Sequence, residues 1–371
     1  PGFFEISLLP RIISYFSKFY NNDLLLTSNL LIPLSAFITA ILISLFFLVL
    51  GFGYEGVVAG LGASLSQSIY VRTSIGRVDT DLLNIGFFYS ILALLTASIL
   101  SNKIRDKFLL IILAGFSNFC FVWWYQRPGF FIPFLITLVL LQYIYKTGFK
   151  ISIIQIFLFS LFSGPLFIFG SLENIINFGS LYLSFFSSDA PKIGLIFPDT
   201  FNTITELQNL EFSEYSNLIF GESKELLMLF SILGLVIFLF FNLKIAVAVL
   251  PAFIFLLMSI FVGKRFAIYA IPLYWFGVSY LFFSVVILTI RIFRLSYYIN
   301  LNERLLKNIM TSFSALLLMF FIVTTSISYC ENDKFFNCKP KYTPMPSFSN
   351  NITEAFTLLK NEKFDSSSVI V

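Results

Sequence analysis

The sequence predicts an all-α polytopic membrane protein with about ten transmembrane helices and one long external loop. Its 371 residues are 58% hydrophobic, with 50 Phe. Only 12% are charged, against about a quarter in a soluble domain. Apolar stretches free of charge also recur along the chain, close to the roughly 20 residues a helix needs to cross a bilayer. These features exclude a soluble globular protein. The net charge of +4 comes from 24 basic and 20 acidic side chains dispersed over the connections, so no basic cluster suits a nucleic acid, and membrane lipids are the expected surroundings.

In chain order, the candidate spans are Leu30–Leu50, Gly56–Val71, Leu82–Leu100, Phe108–Trp124, Phe130–Tyr145, Ile151–Gly170, Leu226–Leu243, Ile245–Val262, Phe266–Leu288 and Met310–Ile327. Gly56–Val71 is short and rich in glycine and serine, which suits a helix buried among others. This divides the chain into an external segment 1–29, a transmembrane domain 30–327 with an external loop 171–225, and an external C-terminal segment 328–371. Ten spans leave both ends on one side. The connections carrying Lys103, Arg105 and Lys107, then Lys146 and Lys150, then Lys244, then Arg291, Arg294, Arg304 and Lys307 all fall on the other side. By the positive-inside rule, that side is cytoplasmic.

The opposite face gathers the residues able to do chemistry. Arg72-Thr-Ser-Ile-Gly-Arg77-Val-Asp79-Thr-Asp81 joins two spans. Carboxylates at i and i+2 in a turn can converge on one divalent cation; they could equally cap the helix that starts near Leu82. Thr203-Ile-Thr-Glu206 lies in the long loop, where Glu206 alone would read as a solvated carboxylate. Gly263-Lys264-Arg265-Phe266 offers a basic pair that could hold a phosphate or snorkel to the interface. Trp123-Trp124-Tyr125-Gln126-Arg127 closes a helix with aromatics, as an interfacial belt would also do. The sequence has no His, so a metal would rest on carboxylates and be a hard cation such as Mg²⁺ or Mn²⁺. Cys330 and Cys338 flank a short polar stretch; an oxidising compartment would permit a disulfide, and two free thiols fit as well.

Taken in this order, Arg72 through Asp79-Thr-Asp81, Trp123-Trp124-Tyr125, Thr203-Ile-Thr-Glu206 and Lys264-Arg265-Phe266-Ala-Ile-Tyr269-Ala-Ile-Pro272 resemble the catalytic subunit of oligosaccharyltransferase, most of all the bacterial single-subunit type. The resemblance runs from roughly Gly60 onward. It implies a GT-C-like membrane domain and an inverting, metal-dependent glycosyltransferase. The donor would be an oligosaccharide on a polyprenyl pyrophosphate, and the acceptor the asparagine of Asn-x-Ser/Thr. Carried over, Asp79 and Asp81 would hold the divalent metal, Mn²⁺ or Mg²⁺. Glu206 would bind the metal or the acceptor carboxamide, and Arg72 would stand beside the metal. Arg265 would contact the lipid pyrophosphate, and Tyr125 would line the glycan-lipid site. A bacterial inner membrane with a periplasmic site follows from the same resemblance.

The pattern also departs from the family. No first acidic motif precedes Leu30, the region from Trp124 to Glu206 is about two spans short, and the Trp-Trp-Asp-Tyr-Gly sequon reader is absent. The chain therefore reads as cut at both ends. Leu207–Phe220 carries neither Arg nor Lys, which implies acceptance of a plain sequon with no upstream acidic residue. Another lipid-phosphate-dependent GT-C glycosyltransferase, an inactive fragment and a membrane transporter are the alternative readings. A transporter would place charges within the spans, where this sequence has essentially none.

Overall fold

A computed structural model describes residues 7–66, 68–69, 81–125, 128–164, 212–221, 224–261, 266–292 and 303–327. Among these the chain is helical and has no strand. We number the helices α1 (Leu8–Ser17), α2 (Leu24–Val49), α3 (Gly53–Ser64), α4 (Asp81–Leu100), α5 (Ile104–Tyr125), α6 (Phe131–Ile144), α7 (Phe149–Ser163), α8 (Phe212–Phe220), α9 (Glu225–Phe241), α10 (Leu243–Phe261), α11 (Ala267–Ile292) and α12 (Glu303–Ile327). Internal contacts divide the chain into Pro1–Ser326 and Ile327–Val371; the second unit, past its first residue, lies outside the described residues.

The described residues of each of the ten apolar segments lie mostly on a helix. Among the described residues, α2, α4, α5 and α11 are by themselves long and apolar enough to cross a membrane. A fifth is added if α8 and α9, bent relative to each other by 87°, form one span. The remaining apolar helices are shorter. Large apolar side chains cover the outside, with Phe240, Phe241 and Phe149 each more than three-quarters exposed. Such a surface belongs against lipid tails rather than water.

Local chemistry sets the helix ends. α2 starts at Leu24, earlier than the apolar pattern predicts, because Asp23 Oδ1 accepts the Leu26 N–H at 2.9 Å. The polar residues that mask this start satisfy themselves: Thr27 Oγ1 donates to the Asp23 carbonyl at 2.6 Å and Ser28 Oγ to the Leu25 carbonyl at 2.8 Å. At its other end Gly51, at φ +93°, reverses the chain. The Gly51 N–H reaches Leu48 O and the Phe52 N–H reaches Phe47 O, both at 2.9 Å, which is the Schellman arrangement. Phe52 then packs edge-on against Phe238, Phe276 and Tyr280.

Small residues let the helices approach closely. Gly60 of α3 lies on the Ala40 carbonyl of α2, Gly62 lies under the Trp275 ring, and Gly234 of α9 meets the Gly277 carbonyl of α11. A Cβ at any of the three would collide, the close approach expected of helices that associate by dispersion and hydrogen bonds in lipid. Ser231 Oγ donates to the Tyr274 carbonyl at 2.7 Å beside the Gly234 contact. The short α3, as its glycines predict, is largely buried between α2 and α11.

Two helices fall where the sequence predicts external segments. α1 lies in 1–29. α8 lies at the end of the loop 171–225, where its buried face, Tyr215, Ser216, Ile219 and Phe220, turns inward. The Tyr215 and Ser259 hydroxyls are hydrogen-bonded. The rings of Tyr215 and Tyr274 meet at 5.8 Å, and those of Phe220 and Trp275 at 4.8 Å. The described end of the loop thus packs on α10 and α11.

Candidate active site

Of the six sequence-predicted site residues, Asp81 and Tyr125 are among the described residues; Arg72, Asp79, Glu206 and Arg265 lie outside them. Asp81 opens α4 and is 6% exposed. A carboxylate at the first turn of a helix faces the partial positive charge of the unsatisfied N–H groups. Its Oδ1 accepts a hydrogen bond from Asn84 Nδ2 at 3.2 Å. Asn84 is fully buried, and among the described residues its own Oδ1 has no hydrogen-bond partner.

Sequence reasoning did not single out Asn84. The signal was present: an amide three residues beyond Asp81 shares its helix face, and it is the one carboxamide in this helix.

Tyr125 ends α5 and is half-buried. Its ring lies parallel to Phe121, centroids 6.1 Å apart, and edge-on to Phe130 at 6.0 Å. Phe130 continues the contact to Tyr269 at 5.3 Å and to Phe255 at 5.4 Å. Phe255 meets Tyr269 at 4.8 Å and Phe266 at 5.9 Å. Phe88 of α4 touches Phe130, Phe255 and Tyr269, and the Tyr89 hydroxyl donates to the Tyr269 carbonyl at 2.9 Å.

One aromatic cluster therefore ties together α4, α5, α10 and α11. It joins two anchors far apart in sequence, Trp123-Trp124-Tyr125 and Phe266 through Tyr269, and it reaches the helix that Asp81 opens. Phe88, Phe130 and Phe255 make the junction, and none of them belongs to a motif. Aromatic rings in edge and offset contact contribute about 0.5–1.5 kcal/mol per pair beyond their burial, so a cluster of this kind is a rigid platform.

No group of three or more His, Cys, Asp or Glu side chains able to hold a metal occurs among the described residues. The donor chemistry at Asp81 nevertheless suits a hard cation: a carboxylate oxygen, with the buried Asn84 Oδ1, unpartnered among the described residues, on the side chain that donates to it.

No protein-family model matches the chain. Two curated relatives do, both undecaprenyl-diphosphooligosaccharide–protein glycotransferases, from two strains of Campylobacter jejuni. Each is 27% identical over 270 residues, covering 61% of this chain and 36% of the relative. The matched region thus spans about a third of those relatives' length. Over it, this helical membrane protein is similar to bacterial glycotransferases of the oligosaccharyltransferase type.

Proposed function

We propose that the chain forms the membrane part of an oligosaccharyltransferase, which moves an oligosaccharide from a polyprenyl pyrophosphate carrier to the asparagine of Asn-x-Ser/Thr. The carrying observation is the similarity to the Campylobacter jejuni glycotransferases. The aromatic junction that brings the Tyr125 and Tyr269 anchors together supports it. In this reading the protein sits in a bacterial inner membrane with its reacting groups at the periplasmic side.

A carboxamide nitrogen is a weak nucleophile because its lone pair is delocalised into the carbonyl. Carboxylates accepting its two N–H groups can twist the C–N bond and localise that pair; Glu206 and Asp81 are assigned this work. The nitrogen then bonds to the anomeric carbon of the first sugar as the carbon–oxygen bond to the pyrophosphate breaks, so the anomeric configuration inverts. The nitrogen passes one proton to a carboxylate oxygen of the pair that holds it, and the electron pair of the broken carbon–oxygen bond leaves on the lipid pyrophosphate. Arg265 meets the charge that develops there, with planar donors that can engage two oxygens together. Tyr125, held by Phe121 and Phe130, lines the donor site. Asp79, Asp81 and Glu206, with Arg72 beside them, are the residues that would hold Mg²⁺ or Mn²⁺, a Lewis acid that neutralises pyrophosphate charge when bound.

The test is transfer by the protein expressed from its complete gene, with an undecaprenyl-pyrophosphate oligosaccharide as donor and a fluorescent Asn-x-Thr peptide as acceptor. The expected product carries the glycan on asparagine with inverted anomeric configuration, read by mass spectrometry and by anomer-specific glycosidases. Transfer only to a matched peptide whose sole acceptor is a serine hydroxyl would move the protein to another lipid-phosphate-dependent glycosyltransferase class. Because Leu207–Phe220 lacks a cationic side chain, peptides with and without an acidic residue two positions before the asparagine should react within about twofold of each other. Strict dependence on that acidic residue would overturn the assignment of a plain sequon.

A further inference from the structure

The segment before the first long span carries a surface that the transfer reaction does not use. α1 is strongly amphipathic and continues into a 3-10 turn, Lys18–Tyr20. Ser17 is buried and Leu8, Leu9, Ile12 and Ile13 are half-buried, so one side of the helix is seated against the protein. The other side exposes Arg11, Tyr15 and Lys18, at spacing i, i+4 and i+7, which places them along a single stripe. Beside that stripe the rings of Tyr15, Phe16 and Phe19 lie 5.7 to 6.3 Å apart, and Phe19 is 70% exposed.

The position of the stripe is fixed by α5. The Arg11 guanidinium lies over the Trp123 ring, 5.4 Å from its centroid. Trp123 is near the end of α5 opposite Lys103, Arg105 and Lys107. The positive-inside bias accounts for those three and not for Arg11 and Lys18, which stand at the other end. From Leu8 to Asn22 the sequence has no acidic residue. The next one, Asp23, already accepts the Leu26 N–H. Among the described residues no carboxylate pairs with Arg11 or Lys18. A guanidinium stacked on an indole keeps its in-plane N–H groups available.

Two cations without a carboxylate partner among the described residues bracket an exposed tyrosine, on a helix that the turn 18–23 joins to the long apolar α2, and so fit the phosphate layer of a bilayer. We propose that α1 lies in the membrane interface and that Arg11 and Lys18 bind the headgroup phosphate of an anionic phospholipid. The exposed aromatic rings would enter the adjoining acyl boundary. The bilayer is continuous with this face through α2, and the charge is complementary.

The test uses the whole chain in detergent, titrated with phosphatidylglycerol or phosphatidylcholine and read by native mass spectrometry. Phosphatidylglycerol should be retained in preference to phosphatidylcholine. Changing both Arg11→Ala and Lys18→Ala should weaken its retention roughly tenfold or more, whereas Arg11→Lys with Lys18→Arg should preserve it. Circular dichroism and melting temperature identify a double variant that has failed to fold. Because Arg11→Ala also removes the Trp123 contact, Lys18→Ala alone is the second variant; it should weaken retention without moving the melting temperature. Equal retention of both lipids, or undiminished phosphatidylglycerol binding by the folded double variant, would overturn the proposal. A double variant that keeps its lipid and changes its oligomeric mass would overturn it in favour of a second copy on this face.

Discussion

The residue-scale claim with the sharpest consequence concerns Asp81. At the first turn of α4 its Oδ1 accepts the Asn84 amide, and the carboxylate is buried. If it carries the assigned role, Asp81→Asn should lower transfer by roughly a hundredfold or more with little change in melting temperature, because the amide fills the same volume. A variant that loses stability and activity together would instead make Asp81 a helix cap. The Asp-x-Asp spacing was legible in the sequence and its position at a helix start was expected. What could not be read was the partner: a hydrogen bond from Asn84 depends on the face α4 buries, and a mostly apolar helix gives no amphipathic stripe from which to choose that face. The glycine contacts are similar. Gly234 and Gly277 lie 43 positions apart in the numbering of their chain, and nothing in either flank announces that they touch. Gly234→Leu should cost about 1–3 kcal/mol or more, seen as a lower melting temperature of the purified protein, since the nearest obstruction is backbone and cannot move aside.

At the scale of elements, runs of charge-free apolar residues located the ten segments, because a bilayer demands length and apolarity above all else. Ends were less legible. α2 was predicted from Leu30 because Thr27, Ser28 and Asn29 interrupt the apolar run, yet the hydroxyls bond back to their own helix and Asp23 caps it. Asp23→Ala should therefore destabilise the protein by about 0.5–2 kcal/mol, measurable by thermal unfolding, while Thr27→Val should be nearly silent. An inert Asp23→Ala would show that α2 begins without help from its cap. The loop 171–225 hid α8, whose apolar residues are too few to pass as a span. Its helical spacing, Tyr215 with Ile219 and Ser216 with Phe220, marks a face that needs a neighbour, and α10 and α11 provide it.

For the whole molecule, the aromatic platform explains how two motifs far apart in sequence, Trp123-Trp124-Tyr125 and Phe266 through Tyr269, are brought together. Phe130, Phe255 and Tyr269 come from segments far apart in sequence, so their meeting is set by packing and not by any local signal. The composition made the membrane setting plain, and the order of the motifs made the resemblance plain. The junction between them required the fold. The most direct test of the central claim is transfer of the lipid-linked glycan to an Asn-x-Thr peptide by wild type and Asp81→Asn, each with Mn²⁺ and with EDTA. The account predicts transfer by wild type with Mn²⁺, its loss in EDTA, and loss in Asp81→Asn under both conditions. Folded wild type that transfers nothing from a competent donor, or transfers equally well after Asp81→Asn, would contradict it.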